Sequence, residues 1–167
     1  MTQLPLVDFL ATDTTTPGVW VLQFPAPAPM TSVNQRGHWA ADSTLRRTWR
    51  DAVYAYAHHA HLPKGLGRVR IDIALQFPAA GRRDTANYHP TIGKPCVDAL
   101  GPGRRYRSKK SANGWVTELG YGFIADDTPQ HLDGPHITFG QPIGRKRGYG
   151  RVTITITDLT ENALPPH

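Results

Sequence analysis

Between Val69 and Phe77 the chain alternates strictly: Val69, Ile71, Ile73, Leu75 and Phe77 are apolar, and Arg70, Asp72, Ala74 and Gln76 stand between them. A period of two places the apolar set on one face of a strand and the rest on the other. Val152, Ile154 and Ile156 repeat the pattern against Thr153, Thr155 and Thr157. Strands buried on one face only belong to an antiparallel or mixed sheet, and something apolar must cover that face. A cover is present in the same sequence. Leu45, Trp49, Ala52, Val53, Tyr56 and Ala60 lie on one stripe of a 3.6-residue period, with Arg46, Arg47, Arg50 and Asp51 off it. The spacing predicts a helix capped by Asp42 or Ser43 and ended by Pro63 and Gly65.

Val19–Phe24 is a short, nearly continuous apolar run, the pattern of a strand covered on both faces, and Pro25, Pro27 and Pro29 force an extended exit from it. Pro90 is placed to open a second helix through Lys94, Val97 and Leu100, with Pro95 limiting its early turns. Short strands are expected at 121–124 and 132–139. Residues 101–116 make a connection long enough to be either functional or disordered. These elements predict an α/β (α+β) fold: a single domain with a small mixed sheet and two main helices. Residues 18–158 form that domain, with a basic loop insertion at 101–116. Residues 1–17 are expected as a flexible extension and 159–167 as a C-terminal tail. At 167 residues the chain can withdraw roughly 70% of its unfolded surface from water, enough for a core without staples.

Nineteen Lys and Arg against thirteen Asp and Glu give a net charge of +6, which bears on partners and not on fold. The excess is local. Arg104, Arg105, Arg107, Lys109 and Lys110 fall in 101–116, and Arg145, Lys146, Arg147 and Arg151 in 144–151, with no acid in either stretch. The remainder carries ten cations against thirteen acids. Cations interleaved with tyrosine and glycine suit a surface that follows a nucleic-acid backbone, and equally a solvated charge run. The single cysteine, Cys96, excludes an internal disulfide and a multi-cysteine zinc site. It sits beside Val97 and reads as a buried hydrophobe. A reducing, cytoplasmic location is the simplest expectation. No apolar run is long enough for a membrane helix, and the N-terminus lacks the basic flank of a secretory signal.

Two segments could carry chemistry. GRRDTANYHPTIGKPCVDAL, residues 81–100, presents Asp84, Asn87 and His89 ahead of a helix, then Lys94 and Asp98 four apart. GFIADDTPQ presents the adjacent pair Asp126 and Asp127. Alone, the first reads as a turn, a cap and a surface ion pair, and the second as an ordinary turn. Together they offer carboxylates from two segments plus a lysine, a set suited to Mg²⁺-assisted phosphodiester hydrolysis. Mg²⁺ takes hard oxygen ligands, often only one or two carboxylates, with water and phosphate completing the shell. His58, His59 and His61 splay around a helix, and no cysteine or acid accompanies them, so they do not form a zinc pattern.

These segments carry a resemblance. PAPMTSVNQRGHW is similar to the P-x-x-S-x-N segment of the RusA-type Holliday junction resolvases, the crossover junction endodeoxyribonucleases of phages and prophages. RRDTAN, KPCVDAL and GFIADDTPQ resemble that family's R-R-D-x-D-N, K-x-x-x-D-A-L and G-x-x-x-D-D-x-Q signatures in the same order, over roughly residues 20–158. The resemblance implies a homodimeric α/β enzyme of the cytoplasm, the host's if phage-encoded, that cuts four-way or branched DNA symmetrically with Mg²⁺ or Mn²⁺. Carried over, Asp84 and Asp127 become metal ligands with Asp126 beside them, and Lys94 the catalytic lysine. Asp98 matches the Asp of D-A-L. The family's second acid falls on Ala86, whose methyl group binds no cation, so Asn87 or His89 is the candidate substitute ligand. The Asn87–Lys94 spacing is longer than the short bacterial pattern by about one helical turn.

DNA contacts are expected from Asn34, Arg36, Arg82, Arg83, Arg104, Arg105, Arg107, Lys109, Lys110, Arg145, Lys146 and Arg147, with His38 and Trp39 in the same matched loop as Asn34. Ala86 keeps a second outcome open: a catalytically weak or silent branched-DNA-binding protein of the same fold. A basic RNA-binding protein would account for the charge but not for the carboxylates.

Overall fold

The computed structural model describes residues 10–11, 16–35 and 39–160. Its main sheet has five strands in the order β1-β2-β7-β3-β6: β1 Leu10–Ala11, β2 Val19–Pro25, β3 Val69–Gln76, β6 Leu132–Phe139 and β7 Arg151–Asp158. Only β3 and β6 run parallel, so the sheet is mixed. Ile71, Ile73 and Leu75 of β3 face Ile156, Ile154 and Val152 of β7, and Leu22 and Phe24 of β2 face Ile154 and Val152 from the other side. All eight side chains are fully buried. The long helix α1, Trp39–His59, covers them with Trp49, Val53 and Ala57. Phe24 stacks on Tyr56 with ring centroids 4.6 Å apart. The protein is thus a mixed α+β domain with two α-helices, as the periodicities predict.

Four expectations are corrected. The first apolar run is buried on one face only: Leu22 and Phe24 are inside, while Val19, Val21 and Gln23 are half-buried. A single helical layer needs one apolar face. Helix α1 starts at Trp39, which leaves Asp42 within its first turn instead of capping it. The second helix is a chain of three short pieces: a 3₁₀ turn Thr85–Tyr88, a π turn His89–Gly93 and α2, Lys94–Leu100. Proline tolerates only the first turn of an α-helix, because it lacks the N–H and crowds the preceding carbonyl. Pro95 therefore fixes where α2 begins. Leu10 and Ala11, expected in a loose extension, pair with Gln23 and Leu22. Residues 1–9, 12–15 and 161–167 lie outside the described residues, while Leu159 still bonds back to Arg68.

The basic stretch 101–116 is not a loop. Pro102–Arg107 (β4) and Trp115–Tyr121 (β5) form a separate antiparallel ribbon. Its turn is closed by Ser108 N–H donating to the Gly114 carbonyl and by Asn113 Oδ1 accepting from the Trp115 N–H. Every residue of β4 is exposed, so no apolar alternation marks it in the sequence. The ribbon's base is tight: a Cβ on Gly120 would come within 2.3 Å of the Gly101 carbonyl. The strand expected at 121–124 fails for a related reason. Gly122 turns at φ +80, and Ile124 makes only an isolated bridge to Leu66. Strand 132–139 lies where expected.

Trp49 is 1% exposed and central to the helix–sheet contact. Trp49→Ala should lower unfolding free energy by about 3–5 kcal/mol through lost burial and a residual cavity. Urea denaturation would show this as a lower midpoint at unchanged slope.

Candidate active site and nucleic-acid interface

The candidate residues lie on the long connection between β3 and β6. Helix α2 buries Pro95, Cys96, Val97, Ala99 and Leu100 and leaves Lys94 and Asp98 outward. Asp126 and Asp127 follow β5 in an exposed turn that Asp126 shapes by accepting the Asp127 N–H at 2.8 Å. Lys94 joins the two segments. Its ammonium is 2.9 Å from Asp98 Oδ1 and hydrogen-bonds Asp127 Oδ2. Two carboxylates from different segments therefore converge on one cation. With Asp126, Arg50 and Arg104 they line an open cavity of about 310 Å³. An adjoining cavity shares Lys94 and Asp127 and adds His89 and Pro90.

Asp84 lies elsewhere. Its carboxylate accepts the Ala86 N–H at 3.0 Å and caps the 3₁₀ turn. It lines a cavity of about 310 Å³ with Ser32, Asn34, Arg82, Arg83, Asn87 and Tyr88. Two of the matched segments thus meet here, tied by the Val33 N–H donating to the Asn87 carbonyl at 2.8 Å. Arg83 is already engaged: its guanidinium stacks 3.8 Å from the Phe77 ring centroid. The Asp84 cavity shares no lining residue with either cavity that holds Asp127. Between them lies a pocket of about 430 Å³ that shares Ser32 with the Asp84 cavity and Pro90 with the Lys94 side. Among the described residues, no group of three or more His, Cys, Asp and Glu side chains gathers as a metal site. His58 instead packs against Tyr54 and Tyr121.

Arg104, Arg105, Arg107, Lys109 and Lys110 are exposed on the ribbon β4–β5 and its turn. Arg145, Lys146 and Arg147 are exposed in the turn before β7. That turn is fastened to the Asp84 segment by the Gly144 N–H donating to the Pro78 carbonyl. Cations thus stand beside both ends of the row of cavities. Arg36 and His38 fall outside the described residues, as does the Trp39 side chain. Sequence reasoning passed over Arg50 and Glu118. Arg50 reaches Glu118 at 3.2 Å and the Leu119 carbonyl at 3.3 Å, and Arg104 also bonds Glu118, so the ribbon is anchored to α1. Only the position of Arg50 off the apolar stripe signalled it.

The electrostatics follow this geometry. The Lys94 hydrogen bond holds the Asp127 carboxyl below the usual aspartate range against the opposing effect of burial. Burial acts to lower the pKa of Lys94, but its bonds to Asp127 and Asp98 prevail and raise it. For Glu118 burial pulls upward, and Arg104 and Arg50 together hold it down. Burial pushes the Cys96 thiol up to about 12, which removes it as a nucleophile. No helix among the described residues is long and apolar enough to cross a membrane. No protein-family model and no curated protein matches the chain.

The Lys94–Asp127 bond gives stability a definite pH window. The depressed carboxyl contributes fully above the ordinary aspartate value of 3.8, and loses its contribution as pH falls through its folded value. The raised ammonium contributes fully below 10.5 and loses its contribution as pH rises through its folded value. Lys94→Met should move the Asp127 titration back toward ordinary aspartate, read by carboxyl-carbon NMR. An unmoved midpoint would remove the bond from the account.

Proposed function

We propose that the protein is a structure-selective DNA endonuclease of the RusA type, hydrolysing phosphodiesters in four-way and branched DNA with Mg²⁺ or Mn²⁺. The observation that carries this reading is the convergence of Asp98 and Asp127 on Lys94, in an open cavity bordered by the arginines of a basic ribbon. The order of the four matched sequence segments supports it.

The two carboxylates suit such an ion by chemistry, although among the described residues no third His, Cys, Asp or Glu gathers with them. Carboxylate oxygens are hard ligands, Mg²⁺ commonly uses one or two of them, and these two already come close enough to share one cation. Asp127 and Asp98 would hold the ion, with Asp126 beside them. Asp84 enters on the resemblance alone, from a separate cavity. A bound divalent ion would supply an activated water and offset the charge that grows on the phosphoryl oxygens. Lys94, whose ammonium now sits between the Asp98 and Asp127 carboxylates, would yield that place to the ion and turn its charge toward the phosphoryl oxygens. Arg82 and Arg83 at one end, and Arg104 at the other, orient the backbone through their phosphate contacts. Symmetric nicking requires two such sites, which a two-fold homodimer would provide.

Ala86 favours a second reading, a branched-DNA-binding protein that cuts weakly or not at all. The methyl group is exposed on the 3₁₀ turn that Asp84 caps, so Ala86→Asp restores a carboxylate without disturbing the core.

Purified protein with a labelled four-way junction and Mg²⁺ should give paired symmetric nicks. Asp84→Asn and Asp127→Asn should abolish them while leaving junction binding intact. Lys94→Met should slow them roughly a hundredfold, the usual scale for losing one fixed electrostatic contact. Ala86→Asp should accelerate them. Tight junction binding without nicks in either Mg²⁺ or Mn²⁺ would establish the silent reading.

A further inference from the structure

The ribbon β4–β5 stands apart from the main sheet and has two unlike faces. Side chains alternate along a strand, so Arg104 and Tyr106 share one face and Arg105 and Arg107 the other. The first face is held to the body: Arg104 sits opposite Glu118 and bonds it, and Glu118 also pairs with Arg50 of α1. The second face is built around Trp115, which lies opposite Arg107 in the ladder. The guanidinium of Arg105 is 4.6 Å from the Trp115 ring centroid and that of Arg107 is 4.9 Å from it. From Pro102 to Thr117 there is no acid.

This arrangement differs from a single-strand platform. A base stacks on a bare aromatic face, whereas both arginines of this face already stand over Trp115. The ring orders the guanidinium groups before any partner arrives, which lowers the entropic cost of using them. A stacked guanidinium keeps its N–H fork for phosphate oxygens. The opposite face, fastened through Glu118 and Arg50, fixes the ribbon relative to the Lys94 cavity, which Arg104 itself lines.

From this we infer that the Arg105–Arg107–Trp115 face is a docking surface for the phosphate backbone of duplex DNA. It grips one arm of a branched substrate while the strand to be cut lies at Lys94. The inference rests on DNA being the substrate, and it names the part of the substrate that this ribbon holds.

The test measures binding, separately from cleavage. Full-length protein in EDTA is titrated onto a labelled four-way junction, a plain duplex and a single strand of equal length, across a salt series read by fluorescence anisotropy. Arg105→Gln with Arg107→Gln changes only exposed residues and should leave the thermal melt unchanged. It should make the plot of log affinity against log salt shallower by about 2, close to two lost phosphate contacts. Junction and duplex should weaken together, whatever their sequence. Trp115→Phe, which keeps a ring beneath the cations, should bind better than Trp115→Ala. An unchanged salt slope in the double arginine variant, with wild type binding normally, would overturn the inference and leave the endonuclease reading intact. A loss confined to the single strand would overturn it as well. Failure of the wild-type protein to bind any of the three DNAs would overturn the endonuclease reading itself.

Discussion

The parallel pairing of β3 with β6 constrains everything else. Two antiparallel strands can be joined by a tight turn, but parallel neighbours need a connection that crosses back over the sheet. Here the connection runs from Phe77 to His131 and contains the 3₁₀ turn, the π turn, α2 and the basic ribbon. Only its buried residues are committed to packing. Tyr88, Ile92, Cys96, Val97, Ala99, Leu100, Phe123 and Ile124 hold it down. The residues between them are free to be polar, and there Asp84, Asn87, Lys94, Asp98, Asp126 and Asp127 all occur. The candidate residues lie in the crossover because the fold demands a crossover and leaves part of its surface uncommitted.

The legible parts of the fold share one cause, burial on a single face. Val69–Gln76, Arg151–Asp158 and the stripe of α1 are readable because water is excluded from one side and admitted on the other, which writes a period into the sequence. The ribbon lacks that signal. Its first strand is wet on both sides, and its order comes from the Ser108–Gly114 turn and from contacts to α1. Arg50 and Glu118, which supply those contacts, are sixty-eight positions apart. The interruption of the second helix was foreshadowed by Pro90 and Pro95, but its division into three turns depends on the tertiary packing of Tyr88 and Ile92.

At the candidate site, residue types were legible and partners were not. Lys94 and Asp98 at i,i+4 are a local pair that spacing reveals. Asp127 joins them from thirty-three residues away, and only the fold sets that distance. The resemblance makes Asp84 and Asp127 ligands of one metal. The structure gives Asp127 to Lys94 and Asp98, and gives Asp84 to the N-terminal loop that carries Ser32 and Asn34. The two carboxylates lie along a shared row of cavities but keep different neighbours.

Charge is distributed to match. The Lys94 cavity is lined by three cations, Arg50, Lys94 and Arg104, and three acids, Asp98, Asp126 and Asp127. It is close to neutral and exerts little pull at a distance. The outer face of the ribbon and the turn at Arg145–Arg147 carry only cations. A polyanion is therefore attracted to the flanks and not to the cavity, across distances that salt screens within about 10 Å at 0.1 M. The contacts inside the cavity act at hydrogen-bond range, where mobile ions intervene least. The flanks and the cavity thus answer to different variables. Ionic strength would set how firmly a polyanion is held on the flanks, while the Lys94–Asp127 pair follows pH.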